Sequence, residues 1–350
     1  MFDSNHVFLG IAPIGWCNDD MPELGGENTF QQTVSEMALA GFTGCEIGNK
    51  YPKDPAELKK ALDLRGMRIA SRWYSSFLLT RPFEEEEKDF IANLDFLAAV
   101  GANRINVSEQ SYSIQGTMDV PVLTGGHKHV MDDAEWKLLC DGLNKLGKIA
   151  ADRGFKLCFH HHMGTVVQTS EETDRMMANT DPRYVFLCYD TGHFTFAGED
   201  PLAMLKKYVD RVGHVHLKDM RLPVVEEARK NDWSFLQAVR NGAFTVPGGV
   251  RRHGVCGCAG RFRLSPFEQG QGDAYGQQSR QCADHTDQNG LPLQRCHRLF
   301  VRLIFMIHVI FTTYPIVQPF ARQARSLSVS SSQLSASSTG PKGSNSSLLP

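Results

Sequence analysis

The stretch KLCFHHHMGTVVQTSEETDRMMANTDPRYVFLCYDTGHF (Lys156–Phe194) decides the fold of this chain. It begins with an apolar run typical of a strand, continues through a segment of helical period, and ends with a second apolar strand that closes on Tyr189 and Asp190. A strand, a helix and another strand in this order predict two parallel strands joined by a crossover helix. Both strands lead into ionisable side chains, so the unit also carries chemistry at its strand ends.

The same alternation extends over residues 1–247. Seven strands are predicted, at Leu9–Trp16, Gly44–Ile47, Met67–Trp73, Arg104–Ser108, Lys156–His162, Val185–Asp190 and Val212–Leu217. Helical patterns lie between them, at Phe30–Ala40, Pro55–Leu64, Glu84–Val100, Asp132–Asp152, Glu171–Asn179 and Pro201–Tyr208. Buried parallel strands that alternate with helices are compatible with a doubly wound sheet or with an eight-stranded barrel.

Ionisable residues recur where the predicted strands end, and they distinguish these two folds. They are Glu46, Arg72, Glu109, His160 with His162, Asp190 and His216. A barrel brings all its strand ends to one mouth, where such residues can act together. A doubly wound sheet would concentrate them at its switch point, and the GxGxxG turn expected there is missing. We therefore predict an α/β fold of the (β/α)8 TIM barrel type.

Histidines and an aspartate at three adjacent strand ends predict a metal site. His160 and His162 point to one side of their strand, because side chains alternate with a period of two. Asp190 ends the next strand, and His214 and His216 lie on the one after it. A mixed nitrogen and oxygen ligand set suits Mn²⁺, Co²⁺ or Zn²⁺ acting as a Lewis acid. Three alternatives stay open: one or two of the histidines at 160–162 as hydrogen-bonded, half-buried residues, Asp190 as a helix N-cap, and one of the two later histidines as a core residue.

Other polar residues near strand ends give weaker evidence. Glu46 and Lys50 suit acid–base or hydroxyl-binding roles, although a surface charge pair explains each of them equally well. Arg221 fits a substrate contact or a cap on a loop. The residues alone do not choose between these roles.

The formal net charge of −2 is a cancellation between two parts of the chain. Residues 1–247 hold 26 Lys and Arg against 35 Asp and Glu, a net −9, whereas residues 248–350 hold 11 against 4, a net +7. The acidic first part argues against a nucleic-acid surface, which needs a basic stripe. Nine scattered cysteines, and a start (MFDSNHVFLG) without the features of a signal peptide, favour a cytoplasmic protein.

Six motifs give the chain a family resemblance. They are GWCNDD (Gly15–Asp20), CEIGNKYP (Cys45–Pro52), FHHHMGTVVQT (Phe159–Thr169), YDTGHF (Tyr189–Phe194), HVHLKDMR (His214–Arg221) and AFTVPG (Ala243–Gly248). From about Val7 to Gly248 the chain resembles the inosose dehydratase family, within the xylose-isomerase-like barrel superfamily.

The resemblance implies a cytoplasmic hydro-lyase of inositol catabolism. Its substrate would be a small polyol ketone, 2-keto-myo-inositol (scyllo-inosose), and its product a trihydroxycyclohexane-1,2-dione. Mn²⁺ or Co²⁺ is implied as the metal, and glutathione as a family cofactor. Nucleic acid and membrane are not expected as partners, and a homo-oligomer is left open.

The resemblance also implies metal ligands. The superfamily's first metal carboxylate corresponds to His160, its second ligand to Asp190 and its histidine ligand to His216. Because His replaces Glu at position 160, His162 stays open as the ligand in its place.

The remaining implied roles concern the substrate. His193 and Arg221 correspond to positions that contact it, and Lys50 and His162 are further candidates for binding it. Glu46 and His193 are the candidates for removing the proton next to the ketone and for protonating the departing hydroxyl.

The sequence changes character after Pro247. The superfamily has an eighth strand there, with a further metal-binding Glu and a closing helix, and no such segment follows in this chain. We expect residues 1–247 to form seven of eight βα units. Residues 248–350 are expected to be an aberrant, mostly disordered tail, translated in a shifted frame or from a faulty gene model. Its apolar run at 303–317 is too short for a membrane span, and its cysteines lack zinc-site spacing.

Two other functions remain as alternatives. A sugar ketose epimerase or isomerase on the same barrel needs two carboxylates for its proton transfers, which His160 weakens. A non-catalytic remnant is the second, because a barrel that lacks a strand has two open edges and loses a metal ligand.

Overall fold

The structure, a computed structural model, describes residues 8–245, 247 and 306–309. The chain divides into two units, Met1–Thr313 and Tyr314–Pro350, and every described residue belongs to the first. The described strands are β1 (Phe8–Ile11), β2 (Gly44–Glu46), β3 (Arg68–Ser71), β4 (Trp73–Ser76), β5 (Arg104–Glu109), β6 (Lys156–Phe159), β7 (Val185–Asp190), β8 (Val212–Leu217), β9 (Asp219–Met220), β10 (Phe244–Thr245) and β11 (Met306–Val309). The described helices are α1 (Phe30–Leu39), α2 (Pro55–Asp63), α3 (Phe83–Ala99), α4 (Asp133–Asp152), α5 (Ser170–Ala178), α6 (Thr191–Ala197), α7 (Pro201–Tyr208), α8 (Leu222–Lys230) and α9 (Phe235–Arg240).

Nine strands form one parallel sheet in the order β3, β2, β1, β11, β8, β7, β6, β5, β4. Only Arg72 separates β3 from β4, and its carbonyl accepts a hydrogen bond from the backbone N–H of Asn106 at 3.0 Å. The two ends of the sheet are therefore halves of one strand. The sheet closes on itself with eight strand positions, and the predicted α/β barrel is confirmed.

β11 occupies the eighth position of the barrel. It pairs in parallel with β1, where Ile307 lies opposite Leu9, and with β8, where the same residue lies opposite Val215. Without it, β1 and β8 would present unpaired backbone groups at two edges. No eighth strand is predicted directly after Pro247, and in the structure residues 306–309, within the apolar run at 303–317, occupy this position. The predictions of a missing closing helix and a disordered tail otherwise concern residues outside the described part.

The helices around the barrel are capped amphipathic segments, as α4 illustrates. The Asp132 side chain accepts a hydrogen bond from the backbone of Glu135, whose carboxylate accepts one from the backbone of Asp132. Leu139, Leu143 and Leu146 recur at helical spacing and are fully buried. Their burial fixes α4 on the outside of the barrel and leaves the strand ends at its mouth available for polar residues.

Two predicted strands end three or more residues earlier in the structure. The strand predicted at Leu9–Trp16 ends at Ile11, because Pro13 has no N–H for a strand ladder and begins a 3₁₀ turn (Pro13–Gly15). The strand predicted at Lys156–His162 ends at Phe159. The sequence patterns do not predict α6, α8, α9 or the antiparallel pair β9 and β10. None of the described helices is both long and apolar enough to cross a bilayer.

Candidate active site

The three consecutive histidines follow β6 and alternate in direction. His160 and His162 line a cavity at the barrel mouth, whereas His161 stacks on Phe194 with ring centroids 3.7 Å apart. The Nδ1 atom of His160 lies 2.6 Å from the carbonyl oxygen of His161, and that of His162 lies 3.0 Å from the carbonyl oxygen of Met163. Because a carbonyl oxygen only accepts, each Nδ1 carries the hydrogen and each Nε2 keeps its lone pair.

Asp190 ends β7 and uses its two oxygens differently. Oδ1 accepts the backbone N–H of His193 at 2.9 Å and thereby caps α6. Oδ2 lies 2.8 Å from Lys218 Nζ, 3.3 Å from His160 Nε2 and 3.4 Å from His216 Nδ1. The helix cap therefore leaves one carboxylate oxygen facing two imidazoles.

Glu46, at the end of β2, fixes the orientation of His216. Its Oε1 atom lies 2.9 Å from His216 Nε2 and accepts hydrogen bonds from Ser71 Oγ and Asn106 Nδ2, each at 2.7 Å. Since a carboxylate accepts, Nε2 of His216 carries a hydrogen and Nδ1 is left to face His160 and Asp190. His214, two residues earlier on β8, is also buried, with its Nε2 3.3 Å from the same carboxylate oxygen.

Three candidate ligand atoms converge here, which we call the ligand triad: His160 Nε2, Asp190 Oδ2 and His216 Nδ1. The two nitrogens lie 3.1 Å apart, and the oxygen lies 3.3 and 3.4 Å from them. An ion that binds nitrogen and oxygen at about 2.1 Å holds neighbouring ligands about 3.0–3.4 Å apart. Apart from ion pairs, no hydrogen bond reaches Asp190 Oδ2 among the described residues. The triad thus has the donor chemistry and the spacing of one face of a divalent-metal site.

Burial and neighbouring charges set the protonation of these groups. Burial lowers the pKa values of the surrounding imidazoles, to about 3 for His161 and about 4 for His214, and in the same direction for His160, His162 and His193. Burial alone would raise the pKa of Asp190, but Lys218 and the neighbouring histidines hold it well below its usual range. A neutral imidazole and an ionised carboxylate are the forms that bind a metal.

His216 is the exception among the histidines. Burial opposes its protonation, but Cys188, Glu46 and Asp190 outweigh burial and raise its pKa well above the usual value. In the metal-free protein, Nδ1 of His216 therefore carries a proton, which a binding cation would displace.

The cavity beside the triad measures about 380 Å³. His162 and His193 line it with ring centroids 4.0 Å apart, and Trp73 lies 5.5 Å from the His162 ring. Several polar residues that the sequence does not single out also line it: Asn18, Asp19, Asp20, Lys53, Gln115 and Lys218. Lys218 is the one that touches the triad, and its place two residues after His216, at the end of β8, is the signal that could have found it.

Lys50 and Arg221 do not reach the cavity. Lys50 Nζ donates to the carbonyl oxygens of Gly26 and Asn28, each at 2.7 Å, and so ties down the loop before α1. Arg221 Nη1 donates to the carbonyl oxygens of Gly242 and Phe244 and so holds the loop that leads into β10. Each of these side chains lies near a strand end, where it donates hydrogen bonds to backbone carbonyl oxygens.

Comparison with known proteins shows which family this chain belongs to. The sequence matches the xylose isomerase-like TIM barrel family over residues 34–269. It is 60% identical over 248 residues to the inosose dehydratase of Clostridium beijerinckii, and the aligned region covers 71% of this chain and 83% of that protein. It is 59% identical to the inosose dehydratase of Geobacillus thermodenitrificans, with the same two shares covered. The chain belongs to the inosose dehydratase family. This family membership confirms the resemblance carried by the six motifs.

Among solved structures, the fold of this inosose dehydratase family member is similar to that of a Bacillus anthracis protein described as a probable 3-DHS dehydratase involved in petrobactin synthesis. The TM-score is 0.53 at 12% sequence identity, over 92% of this chain and 99% of that chain. At this identity the likeness shows the barrel fold alone.

Proposed function

We propose that this protein catalyses the removal of water from 2-keto-myo-inositol (scyllo-inosose) to give a trihydroxycyclohexane-1,2-dione. Relatives named inosose dehydratase support this activity. The observation that carries the proposal is the ligand triad, whose atoms lie 3.1–3.4 Å apart beside the cavity. A cavity of about 380 Å³ suits a substrate built on one six-membered ring.

His160, Asp190 and His216 would hold the divalent cation, Mn²⁺ or Co²⁺, because the donor set mixes imidazole nitrogen with carboxylate oxygen. When bound, such an ion supplies Lewis-acid polarisation of the substrate ketone and acidifies the neighbouring C–H bond. We include glutathione in the proposal as a cofactor of the family. Adding it to the activity assay tests whether the reaction requires it.

His193 removes the proton from the carbon next to the ketone. Its ring lines the cavity, and its Nδ1 has no hydrogen-bond partner among the described residues. Burial, with His162 and Lys218 nearby, lowers the pKa of His193 well below its usual value. The ring is therefore neutral near pH 7 and has a lone pair with which to accept a proton.

Glu46 is the other candidate for proton transfer, and its contacts suit a different role. One of its carboxylate oxygens already accepts hydrogen bonds from Ser71 and Asn106 while it faces His216. We assign Glu46 to holding His216 in the orientation that a metal needs, as carboxylates commonly do for ligating histidines.

His162 contributes to substrate binding. Its Nδ1 donates to the backbone of Met163, so its Nε2 is available to accept a hydrogen bond from a substrate hydroxyl. Its ring lies 4.0 Å from the His193 ring, centroid to centroid, so a hydroxyl bound to His162 would lie close to the proposed base.

The cellular setting and the tail form part of the same proposal. A cytoplasmic location is supported by the cysteines of the described residues, all five of which are free and buried. Residues 1–247 would supply the site residues, and residues 248–350 would derive from a shifted frame or a faulty gene model. Resequencing codons 247–251 tests this origin, and an uninterrupted frame confirmed in transcripts would contradict it.

The activity is tested on the purified full chain. Bound metal is first removed with a chelator. The protein then receives Mn²⁺, Co²⁺ or no metal, each with and without glutathione. Dione formation from 2-keto-myo-inositol is followed by absorbance. Metal-dependent dione formation is expected. Recovery of an epimerised or isomerised polyol ketone by NMR would favour the epimerase alternative, and a folded, metal-loaded protein without product would favour the remnant.

A further inference from the structure

Lys218 is a buried ammonium beside the ligand triad. Its side chain is 7% exposed, it lines the cavity, and its Nζ lies 2.8 Å from Asp190 Oδ2. An ammonium has three hydrogens to donate. Among the described residues, Asp190 is the only ion-pair partner within 4.0 Å of this nitrogen, and the Asp20 carboxylate, which also lines the cavity, adds a longer-range charge. The remaining donors are therefore available to a ligand in the cavity.

The surroundings hold Lys218 in one place. Thr191 Oγ1 accepts the backbone N–H of Lys218 at 2.9 Å and donates to its carbonyl oxygen at 2.7 Å. Gly192 makes room for the lysine stem, since a Cβ there would lie 2.6 Å from Lys218 Cβ. The ring centroid of Phe244 lies 5.4 Å from Nζ, within range of a cation–π contact.

Neutralising the charge of Asp190 does not by itself require a lysine that is buried and held in one place. One N–H donor is enough to pair with Oδ2, and a bound divalent cation would neutralise the carboxylate by itself. A desolvated ammonium whose other hydrogens lack acceptors is unfavourable unless a ligand supplies them. A polyol substrate in the cavity carries hydroxyl oxygens suited to that purpose.

We propose that Lys218 is the acid that protonates the departing hydroxyl, an inference that rests on the proposed dehydration. The C–H bond next to the ketone breaks and its proton passes to His193. The electron pair forms a carbon–carbon double bond and expels the hydroxyl of the next carbon, which takes a proton from the Lys218 ammonium and leaves as water. The resulting enol tautomerises to the dione, and His193 returns a proton to the lysine directly or through solvent, so the net loss is one water.

The test separates the two bond-breaking steps. Wild type, Lys218→Met and the exposed-surface control Lys137→Met are loaded with Mn²⁺ and incubated with 2-keto-myo-inositol in D₂O. NMR measures deuterium entering the substrate next to the ketone, and absorbance measures dione. We expect Lys218→Met to lose dehydration by about 10²–10⁴-fold while deuterium exchange and metal content persist. In Lys218→Ala, added ethylammonium is expected to restore dehydration.

Four results would overturn the inference. Lys218→Met could dehydrate at the wild-type rate, or it could lose exchange, dehydration and metal together, in which case Lys218 only positions Asp190. A Lys218→Met protein that melts far below wild type, together with no amine rescue of a folded Lys218→Ala, also counts against it. A wild-type protein that is metal-loaded but shows neither exchange nor dehydration contradicts the proposed function itself, and the inference fails with it.

Discussion

The Glu46 carboxylate and the His216 imidazole meet across the interior of the barrel, with Oε1 2.9 Å from Nε2. Glu46 is the last residue of β2 and His216 the penultimate residue of β8, and these strands are not neighbours in the sheet because β1 and β11 lie between them. The orientation of a proposed metal ligand therefore depends on a contact that exists only when the barrel is closed. Assembly of the site and closure of the fold are coupled through this pair.

Glu46→Gln is expected to weaken metal binding. The amide keeps the size of the carboxylate but loses its charge, so it holds the Nε2 hydrogen of His216 less firmly. Loss of such an outer partner typically costs about 10–100-fold in metal affinity. Titration calorimetry with Mn²⁺ or Co²⁺ measures the change, with the surface variant Glu57→Gln as the control. Unchanged affinity and unchanged turnover in Glu46→Gln would show that neither a positioning nor a catalytic role is correct.

His193→Gln is expected to reduce turnover by about 10²–10⁴-fold, because it removes the proposed base. The metal affinity of His193→Gln should stay close to that of wild type. The exposed-residue control His127→Gln should also keep the metal affinity of wild type. Steady-state kinetics and metal titration distinguish these effects. A matching loss of metal would instead make His193 a ligand, since its ring also lies within reach of His160 and Asp190.

The sequence predicts most of the barrel and most of the candidate site, and the exceptions have physical causes. The period of two along a strand correctly places His160 and His162 on one side, because β geometry continues locally even though β6 ends at Phe159. The sequence does not predict Lys218 as a site residue, because a lysine after a strand is usually solvated. Its burial and its contact with Asp190 are visible only in the structure. Position along the chain likewise cannot show that Arg221 bonds to backbone carbonyls.

The eighth strand shows a second limit of sequence reasoning. Family resemblance predicts where that strand should follow in the chain, but pairing depends on which backbone segment reaches the open edges. β11 begins at Met306, far beyond Pro247. A short β-branched apolar run carries little information about its partners, so neither its position nor its register is available from sequence alone.

The metal-free protein should lose stability as pH falls below about 6.5, in part through His161. This residue is fully buried, and burial lowers its pKa to about 3, whereas an unfolded histidine titrates near 6.5. Between these values the unfolded chain binds more protons, so acid favours unfolding, by about 2 kcal/mol at pH 5 for this group.

His161→Phe is expected to remove that contribution. Phenylalanine keeps the stacking on Phe194 and has no nitrogen to protonate. Urea unfolding at pH 7 and pH 5 measures the free energy of unfolding, and the other buried histidines cancel when variant and wild type are compared. The variant should gain about 2 kcal/mol relative to wild type on going from pH 7 to pH 5. Parallel stability curves would contradict the buried, neutral state of His161.

Ile307→Pro tests whether β11 completes the barrel. The strand pairs on both sides, so loss of one backbone N–H removes a ladder hydrogen bond and leaves a partner carbonyl unpaired in the sheet. We expect a loss of about 2 kcal/mol in the free energy of unfolding, measured by urea titration. Turnover should fall as well, because residue 308 of β11 lies opposite His216 of β8. The control is Ser330→Pro in the serine-rich tail, which should change neither quantity. Equal stability and activity of the two variants would mean that the folded barrel does not depend on residues 306–309, and that the site assembles with its eighth position filled in another way.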